Sequence, residues 1–138
     1  MASKYYIKTN LKSLNHKYNR SKTRADPAYY SKLAIIELCG WIEISIDKML
    51  EKHGKILSNK NLSDFKGQIK KVYGFSPEKH LKPLIIHLIG FIGYERLMKS
   101  CDKNKMDRLF YHLKELSKKR NDLAHTYIKG FTSTYDSP

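Results

Sequence analysis

The stretch from Asp26 to Gly54 decides the fold class. Asp26-Pro27 is a helix start: the Asp side chain can accept from the first free amides, and the Pro ring suits the first helical position. Gly54, just after His53, is a natural stop. In between, Leu33, Ile36, Leu38, Trp41, Ile44, Leu50 and their apolar neighbours point to almost every side of a spiral turning ~100° per residue. A helix that is apolar nearly all round is covered by several neighbours. It stands at the centre of a bundle, or one of its faces meets a second copy. A strand is ruled out by length, since ~25 residues is several times a typical strand.

The remaining signals are helical as well. Residues 4–20 carry Tyr5, Ile7, Leu11, Leu14 and Tyr18 among many cations, which predicts a basic amphipathic first helix. Asn61 or Ser63 is the expected cap of a short helix ending near Tyr73, with Gly74 terminating it. Ser76-Pro77-Glu78 is a further start signal, and Pro83 kinks or restarts the helix that runs to about Ile89. Gly90 and Gly93 leave the piece around Phe91 undefined. The last helix runs from about Lys103 to at least Ala124. Nothing reads as a sheet. The expectation is an all-α bundle of four to five helices, one domain over residues 1–130, with a Thr/Ser-rich flexible tail at 131–138.

Composition narrows the function classes. The 138 residues carry 27 Lys and Arg against 13 Asp and Glu, a net charge of +14, which favours polyanionic partners. A generally Lys-rich composition accounts for the same figure. Two cysteines, Cys39 and Cys101, are too few for a disulfide-stapled scaffold. The start, Met-Ala-Ser-Lys-Tyr-Tyr, lacks the apolar core of a signal peptide, and the longest apolar run, Leu84–Gly93, is too short to span a bilayer. A cytoplasmic protein without membrane contact is expected. His80 and His87 are seven apart, which is not a metal spacing, and no Cys/His/carboxylate cluster stands out. No metal or cofactor is expected. There is no Gly-rich phosphate loop, no nucleophile elbow and no helix-turn-helix signal.

One segment carries chemistry. Leu109, Leu113, Leu116, Leu123 and Tyr127 form a stripe on the last helix, and Arg120 falls in the middle of it. A cation among leucines is costly unless it meets an anion. Asn121 and His125, four apart, share a different face. In a structural reading, Arg120 snorkels or pairs with a buried carboxylate, Glu43 first and Glu37 next, and His125 is an ordinary helix-end histidine. In a functional reading, Arg120 binds a phosphate and His125 moves protons near neutral pH.

The run Lys118-Lys119-Arg120-Asn121-Asp122-Leu123-Ala124-His125 resembles the signature of the HEPN superfamily: an Arg, a polar residue, a short mostly apolar stretch and a His, at the end of the final long helix. The Leu33–Glu51 segment with Trp41-Ile42-Glu43 looks like the long early helix of bacterial HEPN ribonuclease-like groups such as the RiboL-PSP-like one. The likeness is specific over residues 116–127 and loose elsewhere. It implies a homodimer in which two motifs face each other across a cleft. It also implies metal-independent cleavage of RNA by attack of the ribose 2′-hydroxyl, in a toxin or anti-phage effector. His125 would handle the hydroxyl proton, Arg120 the developing charge, and Asn121 would orient the phosphate or the His. Glu43 is the expected supporting carboxylate. Tyr127 extends the motif toward toxins whose Tyr is modified by a nucleotidyltransferase antitoxin, a possible partner; alternatively it is the aromatic end of the leucine stripe. Lys118, Lys119, Lys4, Lys8 and Lys12 are the expected RNA contacts, the last three interleaved with tyrosines on the first helix or simply its solvated face. The competing expectation is a non-catalytic HEPN module that binds RNA, nucleotide or a protein partner.

Overall fold

The computed structural model describes residues 3–22 and 25–124. The described residues form five α-helices and no strand: α1 (Lys4–Asn19), α2 (Ala25–Gly54), α3 (Asn59–Lys71), α4 (Lys82–Ser100) and α5 (Lys103–Ala124), with a single π-helical turn at Pro77–Leu81. The fold is all-α, as the patterning requires. The helix bounds differ from expectation most at α4, which continues past Ile89 to Ser100, and slightly at α3, which begins at Asn59, ahead of both Asn61 and Ser63, and ends at Lys71. Leu62 N–H donates to the Ser58 carbonyl at 2.8 Å, so the backbone closes that first turn itself. The expected tail at 131–138 lies outside the described residues.

The chain makes two compact units, and the divisions between them fall inside α2 and inside α5. The unit of residues 43–117 has an apolar core of Leu50 from α2, Phe65 and Ile69 from α3, and Leu84 from α4. Ile46, Leu57, Val72, Ile85 and Leu88 pack round it. The spacings explain the choice: 46/50, 65/69 and 84/88 each put two apolar side chains on one helix face. At roughly 25 cal/mol per Å², burial of such side chains contributes about 1.5–3 kcal/mol apiece. In the unit that combines residues 2–42 with 118–138, the buried side chains are Ile7 and Leu14 of α1, Ser31, Ala34 and Cys39 of α2, and Leu123 of α5. Cys39 is fully buried and carries no disulfide.

Two prolines and two glycines shape the segment between α3 and α5. Gly74 has φ +133, and a Cβ there would sit 2.6 Å from the His80 ring. His80 needs that space because its Nδ1 accepts the Ser76 backbone N–H at 3.1 Å. Pro77 opens the π turn, and Leu81 N–H reaches back to the Ser76 carbonyl at 3.1 Å. Pro83 then sits in the first turn of α4, and the backbone passes from the π turn into α4 with Leu81 and Lys82 both helical. Gly90, at φ +70 and ψ 170, breaks α4 between two helical pieces.

The helix apolar on nearly every side does not bury every side. Ile36, Ile44 and Met49 of α2 are exposed. On α5, Asp102 caps the start, its Oδ1 accepting from Lys105 N–H at 3.0 Å. The stripe on this helix has cover only from its middle onward: Leu113 and Leu123 are buried and Leu116 half-buried, whereas Leu109 is exposed.

Candidate active site

The last turns of α5 display the segment singled out by sequence. Arg120 is half-buried and shares its helix face with Leu113, Leu116 and the buried Leu123. One position on, Asn121 is exposed, as are Asp122, Lys118 and Lys119. The separation of faces follows from the ~100° step between neighbours on a helix. Arg120 is thus half-buried and Asn121, one step round the helix, exposed. The sequence expectation that Arg120 lies within the leucine seam is met, at partial burial. His125 and Tyr127 lie outside the described residues.

Glu43 belongs to the 43–117 unit and Arg120 to the other. Glu43 is half-buried, with Oε1 buried. It heads a ladder of carboxylates on α2, with Asp47 and Glu51 following one and two turns on, both half-buried. Burial first, then the charges of Glu43 and Glu51, hold the Asp47 carboxyl above its ordinary value of 3.8. Of these three, sequence reasoning picked only Glu43. The i, i+4, i+8 spacing was the signal for the other two. Glu37, the second candidate, is exposed.

The cations of α1 are placed by its capping and its buried side. Ser3 Oγ accepts the Tyr5 N–H at 3.3 Å at the helix start. With Ile7 and Leu14 buried, Lys4, Lys8 and Lys12 are exposed on one i, i+4 ladder. Tyr5 and Tyr6 stand beside them, 72% and 71% exposed, their rings edge to face at 5.7 Å. Flat rings among cations suit a single-stranded polyanion.

Positive charge is spread over both units. Residues 43–117 carry 15 Lys and Arg against nine Asp and Glu, and the rest of the chain carries 12 against four. His87 is exposed, and its ring lies parallel to that of Phe65 at 6.0 Å. Among the described residues, no three His, Cys, Asp or Glu side chains come together in a way that could hold a metal ion. No helix among them is long and apolar enough to cross a membrane. No family model, curated protein or solved structure matches the chain.

Proposed function

We propose that the protein is a metal-independent endoribonuclease of the HEPN type, acting as a cytoplasmic homodimer on single-stranded RNA, as a toxin or anti-phage effector would. The observation that carries this reading is Arg120, held half-buried in an apolar seam at the end of the last long helix, directly before the exposed Asn121. A half-buried guanidinium beside an exposed amide is a combination that suits a phosphate.

In the proposed reaction, His125 takes the proton of a ribose 2′-hydroxyl. The freed oxygen attacks the adjacent phosphorus, and the bond to the 5′-oxygen breaks. The products are a 2′,3′-cyclic phosphate and a 5′-hydroxyl, whose proton comes from the partner's His125. Arg120 stabilises the added negative charge of the phosphorane, a term that is commonly worth a hundredfold or more in rate. Asn121 orients the phosphate or the imidazole, and Lys118 and Lys119 hold the flanking strand. Tyr127 is a point at which an antitoxin nucleotidyltransferase would act.

The test is cleavage of a labelled single-stranded RNA in EDTA by the purified chain. We expect cleavage of RNA and none of DNA, which lacks the nucleophile. His125→Ala abolishes cleavage with helix content and melting unchanged, and Arg120→Ala lowers it by roughly a hundredfold. Full activity of His125→Ala in EDTA would end this mechanism. A second reading, a non-catalytic module binding RNA, nucleotide or a protein partner, is favoured by the Tyr5, Tyr6 and lysine face of α1, which can hold RNA without any chemistry. Tight, salt-sensitive RNA binding by a wild type that leaves the RNA intact selects it.

A further inference from the structure

An open cleft of about 390 Å³ lies within the 43–117 unit, lined by Glu78, Lys82, Pro83, Ile86, His87 and Phe91. Its volume is in the range of small-ligand sites. The backbone at its edge is built for display. Gly90 takes a left-handed φ of +70, and nothing within 4 Å would meet a Cβ there, so glycine is required by conformation and not by space. The break it makes brings Phe91 to the cleft with its ring 73% exposed. A large aromatic ring left in water on a helical break loses apolar burial that an unbroken, packed helix offers.

The other walls complement the ring. Pro83 and Ile86 are apolar, and His87 is steadied by its parallel stack on Phe65, itself 1% exposed. Lys82 Nζ lies 3.5 Å from Glu78 and 5.8 Å from the Tyr94 ring centroid. The pair with Glu78 is a solvent-exposed i, i+4 bridge, weak enough for a phosphate to displace. An open cleft with aromatic and apolar walls and the Lys82–Glu78 pair in its lining, in a unit with six more cations than anions, suits a planar ligand that carries negative charge.

We propose that this cleft holds one unstacked base of single-stranded RNA, with Phe91 as the stacking platform and Lys82 on the neighbouring phosphate. The proposal rests on the ribonuclease reading for its choice of RNA, and it adds a substrate-holding point remote in sequence from Arg120–His125. Base–aromatic stacking tolerates any base, so the cleft contributes grip and not sequence choice.

The test uses the full chain and a fluorescein-labelled 2′-O-methyl oligonucleotide, which lacks the attacking hydroxyl and stays intact. Binding is read by anisotropy across a salt series. Phe91→Ala is expected to weaken binding about tenfold and Phe91→Trp to restore it. Lys82→Gln is expected to lower the salt slope by about one. Phe91 is exposed, so an unchanged melting curve verifies the fold of each variant. Equal affinity of Phe91→Ala and wild type overturns the proposal. If that variant instead loses self-association in light scattering, the face is a contact between copies and the proposal falls. Loss of cleavage on ordinary RNA, with Phe91-dependent binding retained, removes the ribonuclease reading and leaves the cleft standing.

Discussion

The Asp47 carboxyl has two like charges one turn away on either side, and it is half-buried. Each like-charged i, i+4 pair costs roughly 0.2–0.5 kcal/mol, so Asp47→Asn is expected to stabilise the protein at pH 7 by about 0.5 kcal/mol. The sign with pH follows from the raised value. The folded state holds this proton more tightly than the unfolded chain, so stability increases as pH falls through the folded value. The increase is complete below the ordinary value of 3.8 and absent well above the folded one. Thermal melts of wild type and Asp47→Asn from pH 4 to pH 7 check this: the gap between them should widen toward pH 7. A constant gap across that range would show that the carboxylate is not strained by its neighbours. The same ladder illustrates what single residues reveal in a sequence. Arg120 is conspicuous because a cation interrupts leucines, and Cys39 because it sits in an apolar run. Asp47 and Glu51 pass unnoticed because Asp and Glu on a helix are ordinarily solvated, and only their burial makes the spacing matter.

The element that departs furthest from a regular rod is α4. Its first piece, 82–89, contributes Leu84 to the core, with Ile85 and Leu88 packed beside it. Its second piece carries Phe91, Ile92 and Leu97 exposed. Amide protection follows buried contact, so hydrogen exchange should be slow over 84–89 and markedly faster over 92–99. Gly90→Ala, which disfavours the left-handed φ, is expected to shift that boundary and to cost about 1 kcal/mol or more in a denaturant melt. Uniform protection along 82–100 would contradict two separate pieces. At this scale the sequence is informative where punctuation is unambiguous. Gly54 ends α2, and Asp26-Pro27 lies within a turn of its start at Ala25, because such signals act over one turn. The start of α3 at Asn59 was not legible, since the Ser58 carbonyl closes the turn without any side-chain cap. Nor was the break at Gly90: a glycine permits a left-handed φ without requiring it.

For the molecule as a whole, burial is what periodicity alone leaves open. The apolar pattern of α2 predicts cover on all sides, yet Ile36, Ile44 and Met49 are exposed, and so is Leu109 on α5. A stripe records which face is apolar; where the covering neighbour ends depends on the lengths and breaks of other elements. The all-α class was legible throughout, because no segment alternates with the period of a strand. The place of Arg120 on the leucine face was legible from spacing, but its burial is partial where the stripe suggested a buried cation. The cleft at Phe91 was not legible, since Gly90 lies beside it and a glycine does not announce its φ. Both compact units carry an excess of positive charge. The same lysines act with opposite sign on the two proposed partners. RNA binding releases condensed counterions and weakens steeply as salt rises. Pairing of two like-charged copies is opposed by their repulsion, which salt screens over a Debye length of about 8 Å at physiological strength. Raising ionic strength should therefore tighten the dimer while loosening the RNA. A cleavage rate that depends on both should pass through a maximum at intermediate salt, with subunit assembly limiting on one side and substrate capture on the other.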